Sequence, residues 1–333
     1  MGNEHALRWG LLGAGAMAGS FADNLRTEGF TLQAVGARDG GRAREFADRY
    51  GIATAHEGYD ALVNDPTVDV VYVNTTHNLH AEHALLAIGA GKPVLVEKAF
   101  TVTAAEARRV AEAARGAGVF AMEAMWTRFL PSTDFVRERI ADGSLGEVRA
   151  VITDHSQRLT HVPRLNDPAL AGGALLDLGV YNVSFALDLL GPPSDVVARG
   201  TLTDSGVDAE VSMILTHAGG AHCHGRCSLR CSAPNGGVVT GTDGYLVLDG
   251  SFYNWTRVRR YSSGHELLET FEPQRTSQGL HFEAREVERC VAQGLTESPR
   301  MTLDDSIAVM QVLDELRRQV GAVLPQDLVR PEC

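Results

Sequence analysis

Hydrophobic positions in the first third of the chain recur in two alternating rhythms. Short continuous apolar runs occur at Leu7–Leu12, Thr31–Ala37, Val68–Asn74, Val94–Glu97 and Val119–Met122, and read as strands buried on both faces. Between them, helical spacing predicts helices over Ala16–Thr27, Arg42–Tyr50, His80–Ala90 and Ala104–Ala117. Strands separated by single helices imply parallel βαβ units with right-handed crossovers. Past Glu123-Ala124-Met125-Trp126 the rhythm changes. A helix is expected over Pro131–Ala141, a turn over Gly143–Gly146, and a long helix over Ala174–Leu190. Alternating segments at Val148–Thr153, Val196–Thr203, Ala209–Thr216, Ala221–Arg230, Gly237–Thr240, Tyr245–Asp249 and Thr256–Tyr261 predict a largely antiparallel sheet. Two closing helices are expected over Leu280–Ala292 and Leu303–Val320. The fold class is therefore α/β. It comprises an N-terminal doubly wound parallel sheet of Rossmann type (residues 1–124) and a C-terminal α+β domain with a largely antiparallel sheet (residues 125–333).

A length of 333 residues favours two domains over one core. The net charge of −12, with no basic run, makes nucleic acid an unlikely partner class. No uninterrupted apolar stretch approaches 18 residues, so no membrane span is expected. The start, Met1-Gly2-Asn3-Glu4-His5-Ala6, lacks the basic and apolar regions of a signal peptide. Five cysteines fit a reducing cytoplasm better than a disulfide framework.

Gly13-Ala14-Gly15-Ala16-Met17-Ala18 stands between the first strand and the first helix. This is G-x-G-x-x-G/A in the strand–turn–helix setting that gives the motif its meaning, a dinucleotide pyrophosphate on a helix N-terminus. At the end of the second strand an NAD site places Asp or Glu to hold the ribose 2′-hydroxyl. The sequence there reads Val35-Gly36-Ala37-Arg38-Asp39, with Arg42 following. A guanidinium suits a 2′-phosphate, so NADP is expected at Arg38 and Arg42, and Asp39 leaves NAD possible.

Lys98 follows the buried run Val94-Leu95-Val96 and stands beside Glu97, at the carboxyl end of a strand where open α/β sheets bind ligands. The same argument brings the loop Asn74-Thr75-Thr76-His77-Asn78-Leu79-His80 to the nicotinamide, with Thr75, Thr76, His77 and His80 as candidate contacts. Trp126, Arg128 and Phe129 open the second domain and are candidates to stack on and bond a hydroxylated ring. His161 and Arg164 are further substrate candidates. Asp177 and Tyr181 stand four apart and share one face of a helix. An ammonium near a phenol lowers its pKa, which would make Tyr181 a usable base. His222-Cys223-His224 with Cys227 and Cys231 alternates like a strand. Cys223 and Cys231 would then be roughly 26 Å apart, so no metal site is expected.

The Gly13-Ala-Gly15 loop, Ala37-Arg38, Asn74 to His80, Val96-Glu97-Lys98, Glu123 to Pro131 and Gly172-Gly173-Ala174-Leu175-Leu176-Asp177-Leu178-Gly179-Val180-Tyr181 together resemble a known family. It is the Gfo/Idh/MocA oxidoreductase superfamily, and the likeness is greatest to its dimeric dihydrodiol dehydrogenase and NADP-dependent D-xylose dehydrogenase branch. The resemblance implies an NAD(P)-dependent oxidoreductase moving a hydride between nicotinamide C4 and a hydroxyl-bearing carbon of a neutral sugar, polyol or cyclic trans-diol. It implies that Lys98 contacts the reacting oxygen, that Glu97 lies by the nicotinamide ribose, and that Tyr181 is the acid–base with Asp177 beside it. It also implies a homodimer or homotetramer through the C-terminal sheet. Alternatives are a keto- or anhydro-sugar reductase, or a non-catalytic NAD(P)-binding sensor. Two positions depart from the family pattern: Ala99 where Pro follows Glu-Lys, which loosens the backbone around Lys98, and Ala171 where a third glycine is usual.

Overall fold

The computed structural model describes residues 7–275 and 277–328. By internal contacts the chain divides into two units, Met1–Trp126 with Ser277–Ile307, and Thr127–Thr276 with Ala308–Cys333. Residues 277–307, placed with the second domain on sequence grounds, group with the first unit.

In the first unit the strands β1 (Arg8–Leu12), β2 (Thr31–Ala37), β3 (Thr54–Glu57), β4 (Val70–Val73), β5 (Val94–Glu97) and β6 (Ala121–Ala124) form one sheet in the order β3-β2-β1-β4-β5-β6. Every pairing in it is parallel. The order reverses between β1 and β4, and the loops leaving their carboxyl ends flank the switch point where such sheets bind ligands. Helices α1 (Ala16–Thr27), α2 (Gly40–Tyr50), α3 (Tyr59–Val63), α4 (His80–Gly89) and α5 (Ala104–Ala117) supply the crossovers.

Two differences from the expected elements have physical causes. β3 and α3 escaped notice because Thr-Ala-His-Glu is a polar edge strand with no apolar run. β6 lies two residues later than expected, which puts Glu123 inside the strand. Glu123 is tolerated there because its Oε1 accepts the Phe100 N–H at 3.1 Å.

In the second unit β7 (Val148–Ser156), β8 (Pro193–Leu202), β9 (Asp208–His217), β10 (His222–Ser228), β11 (Gly237–Gly241), β12 (Gly244–Leu248), β13 (Val258–Ser262) and β14 (Leu267–Phe271) form a second sheet. Its order is β14-β13-β12-β11-β7-β10-β9-β8. All its pairings are antiparallel except β10 on β7. α6 (Pro131–Ala141) precedes this sheet. α7 (Val180–Leu190) packs on β7 and β10, pinned by buried Asn182, whose Nδ2 donates to Thr153 Oγ1 at 2.9 Å and to the Arg226 carbonyl at 3.3 Å. The chain closes with α8 (His281–Ala292) and α9 (Leu303–Val320).

The long helix expected over 174–190 is two pieces: an i→i+5 wide turn over Leu175–Gly179, then α7. The stretch Pro168–Leu190 is long and apolar enough by composition to pass for a membrane span, although Asp177, Asn182, Ser184 and Asp188 interrupt it. With 94% of its apolar window buried inside the protein, that apolarity is spent on the core.

Candidate active site

The nucleotide loop is built by β1 ending at Leu12. Gly13 has φ 121°, and a Cβ there would stand 2.7 Å from Asn74 Oδ1, so the close approach of the β1 and β4 loops requires glycine. Gly15 is the N-cap of α1 and supplies no side-chain cap. No acidic residue lies in the first turn, and a Cβ at Gly15 would meet nothing within 4 Å. The first amides of α1 therefore face open space with their donors unserved by side chains. Asn74 Oδ1 is buried without a hydrogen-bond partner. An open cradle, uncapped amides and a spare buried acceptor fit a dinucleotide. Ala14, Ala16 and Met17 complete this loop, Ala16 exposed.

At the end of β2, Arg38 is exposed and Arg42 lies over the loop, its Nε and Nη2 donating to the Ala14 carbonyl at 3.3 and 3.2 Å. Asp39 caps α2, its Oδ1 accepting the Arg42 N–H at 2.7 Å. The acid that left the ribose assignment open is thus employed in starting a helix.

β5 delivers Glu97 and Lys98. Glu97 is buried: Oε1 accepts from the Tyr72 hydroxyl and Oε2 from the Lys98 N–H at 3.2 Å. Tyr72 is itself stacked on Phe21 with centroids 3.9 Å apart. Glu97 thus orients the backbone from which Lys98 projects, half-buried. The Lys98–Ala99 peptide is cis. Tertiary contacts hold the segment around Ala99, in place of the φ constraint a proline would add. Ala99 is fully buried, its carbonyl meets His80 Nδ1 at 2.8 Å, and the next amide is held by Glu123.

His80 is a strap between loops. Its Nε2 also meets the Thr75 carbonyl at 3.1 Å, and burial pulls its pKa down to about 4. At neutral pH one N–H is available, and the shorter contact to Ala99 takes it. His77 is buried edge-on to His80 at 5.5 Å, and the Thr75 hydroxyl meets His83 Nδ1 at 2.9 Å, with Thr76 half-buried beside it. Of this loop, expected to border the nicotinamide, His80 is committed to holding backbone. Behind β5 and β6, Glu283 of α8 is fully buried, and burial together with Glu97 and Glu123 pushes its carboxyl well above the usual range.

In the second unit the helix carrying Asp177 and Tyr181 is entered through Gly172-Gly173. A Cβ at Gly172 would stand 2.6 Å from the Leu165 carbonyl oxygen. Ala171, where the family pattern has glycine, is left-handed with φ 54°. Asp177 sits in the wide turn, so the α-helical i, i+4 spacing expected between it and Tyr181 does not apply there. Arg164 Nη2 donates to Asp177 Oδ1 at 3.1 Å, which makes Arg164 a partner of the acid.

Tyr181 is 7% exposed, and its ring lies among others. His155 is 5.1 Å and Tyr253 5.0 Å away by centroid, and these two stack on each other at 3.9 Å. Gln157 Nε2 lies 3.0 Å from His155 Nε2 and donates to the Tyr253 hydroxyl at 2.9 Å. His155 Nδ1 meets the Leu178 carbonyl at 3.2 Å, which assigns the proton to Nδ1 and the accepting lone pair to Nε2. His155, Gln157 and Tyr253 were missed in the sequence. They come from a strand end and a loop some 100 residues apart by number, and no spacing rule connects them.

Arg128 and Phe129 are buried. Arg128 Nε donates to Ser184 Oγ at 3.1 Å, and its Nη1 lies 3.9 Å from Asp188, so its guanidinium is occupied in securing α7. Trp126 is half-buried, and His161 is exposed on the loop before Arg164. Among the described residues no group of three or more His, Cys, Asp or Glu side chains is placed to hold a metal ion.

Comparison with known proteins agrees with this geometry. Residues 7–125 match the oxidoreductase family with an NAD-binding Rossmann fold, and residues 134–247 match the GFO/IDH/MocA C-terminal domain. A trans-1,2-dihydrobenzene-1,2-diol dehydrogenase from Macaca fascicularis is 38% identical over 97% of this chain and 99% of its own length. The corresponding Homo sapiens protein is 36% identical with the same coverage. Among solved structures, an aldose-aldose oxidoreductase from Caulobacter crescentus superposes with TM-score 0.84 at 26% identity, covering 95% of this chain and 97% of the other. A 3-ketoreductase from Actinomadura kijaniata, solved with NADP, superposes with TM-score 0.85 at 27% identity, covering 95% and 98%. The chain belongs to the Gfo/Idh/MocA family of NAD(P)-binding oxidoreductases.

Proposed function

We propose that this oxidoreductase is an NADP-linked dehydrogenase of a trans-diol or neutral sugar, with Tyr181 as its acid–base and Lys98 as its assisting cation. The observation that carries the reading is the setting of Tyr181, a buried phenol walled by His155 and Tyr253. The relatives named above act on a dihydrobenzene diol and on aldoses, which supports a ring or chain bearing vicinal hydroxyls as substrate. The Actinomadura ketoreductase has also been solved with one lysine and with one tyrosine replaced, which supports roles for these two residue types.

When bound, the nicotinamide supplies the hydride acceptor in oxidation and the donor in reduction. Tyr181 Oη takes the substrate hydroxyl proton in oxidation and returns it in reduction. Lys98 Nζ is the proposed donor to the same substrate oxygen. Proton transfer of this kind contributes roughly 10²–10⁴-fold, and orientation of the reacting carbon supplies much of the rest. Arg38 and Arg42 are the proposed holders of the 2′-phosphate, Arg42 being already folded over the phosphate loop. The α1 amides would hold the pyrophosphate.

The test is an initial-rate panel of cyclic trans-diols, aldoses and keto-sugars, run with NADP and NAD on the parent chain and on Tyr181→Phe. Turnover of a diol or aldose with NADP, lost in the variant, is the expected result. Turnover of keto-sugars alone would move the assignment to a ketoreductase.

We further propose that the open face of the second sheet pairs with a second copy of the chain. Ile152, Val197 and Ile214 are 45%, 45% and 44% exposed on that face, and they line a depression of about 520 Å³ with His224 and Val238.

A further inference from the structure

The wide turn Leu175–Gly179 starts with amides that no earlier carbonyl of the same helix can serve. The Leu175 N–H is taken by Asp208, the first residue of β9, whose Oδ2 accepts it at 2.6 Å. Asp208 is 1% exposed and wedged against the Gly172-Gly173 step. Gly173 has φ 115°, and a Cβ on it would stand 2.3 Å from Asp208 Oδ1. The glycine therefore makes room for the carboxylate as well as for the backbone.

A neutral Ser or Asn suffices for an ordinary helix cap. The chain instead buries a carboxyl whose pKa is raised by that burial, and offsets it with Arg317, 2% exposed on α9. The Arg317 fork is already held by Asp327 at 2.7 and 3.1 Å and by Asp314 at 2.7 Å, and its Nη1 is buried without a hydrogen-bond partner. Three acids around one buried guanidinium is an expensive arrangement, and breaking such sets is strongly destabilising.

At its other end the turn runs into α7, which Asn182 fixes to β7 and β10. The turn is thus clamped on both sides at a pitch that an unrestrained helix seldom adopts. Tightening it to α pitch would move each residue before α7 by one place, about 100° around the axis. Asp177 would swing away from its present offset to Tyr181.

We propose that Asp208 is a positioning residue for the reaction, holding the Leu175–Gly179 turn wide and so setting the offset between Asp177 and Tyr181. This rests on the reading of Tyr181 as the acid–base. The test compares Asp208→Asn and Asp208→Ser with the parent chain and with Tyr181→Phe, measuring kcat, KM, NADPH affinity and Tm. The expected result is a kcat lower by about 10–100-fold in the folded Asp208 variants, with KM and NADPH affinity within about threefold of the parent. A parental kcat in either folded variant overturns the inference, even with a lowered Tm. So does a joint collapse of kcat, KM and NADPH affinity, or failure of both variants to fold, because Asp208 would then serve the fold alone. Normal turnover by Tyr181→Phe would instead sink the reading of Tyr181. An inactive Tyr181→Phe beside fully active Asp208 variants would sink only the role of Asp208.

Discussion

The proposed cofactor choice rests on Arg38 and Arg42, which makes it testable one side chain at a time. A charge-assisted hydrogen bond contributes about 1.5–3 kcal/mol, so removing one weakens binding by roughly 10–100-fold. Arg38→Ala and Arg42→Ala are each expected to weaken NADP binding by that factor and to leave NAD within about threefold, read by fluorescence titration. An unchanged NADP-to-NAD ratio in both would contradict the assignment. These two arginines stand out in the sequence because their position is counted from a glycine motif. Arg128 and Arg164 had no such anchor. Both read as donors to substrate, and the structure engages one with Ser184 and Asp188 and the other with Asp177. A lone guanidinium in a sequence does not reveal which acid lies beside it in three dimensions.

Elements whose chemistry repeats locally are legible in the sequence, and those defined by distant partners are not. β2, β5, α1 and α5 are found at the bounds expected from apolar runs and helical spacing. β3, the two-residue offset of β6 and the wide turn before α7 depend on partners remote in sequence: β2 alongside, the Phe100 amide on Glu123, Asp208 on Leu175. The strap between the β4 and β5 loops belongs to the same class and gives a pH prediction. His80 is held at about 4 against an ordinary 6.5, so the folded state disfavours its charged form. That contribution is present above pH 6.5 and is lost as pH falls toward 4, because the unfolded chain binds the proton first. By linkage the loss between pH 7 and 4.5 is about 2 kcal/mol. Urea unfolding of the parent and of His80→Gln at the two pH values should show the parent losing more on acidification by about that amount. Equal losses would show that the strap does not titrate.

For the whole molecule, the doubly wound sheet and the mainly antiparallel sheet were both visible in the switch of hydrophobic rhythm near residue 125. The return of residues 277–307 to the first unit was not visible, since nothing in an amphipathic helix such as α8 names the sheet it will cover. The open sheet face predicts self-association. The parent chain should sediment as a dimer or larger at micromolar concentration, and Ile214→Glu should sediment as a monomer, because a charge at the centre of an apolar patch is costly to bury. A monomeric parent would remove the proposed interface. The most direct test of the central claim is steady-state oxidation of a cyclic trans-diol or aldose with NADP by the parent chain and by Tyr181→Phe. The account predicts turnover by the parent and a kcat at least ~10²-fold lower in the variant, with NADPH affinity retained. Equal kcat in the two proteins would contradict it.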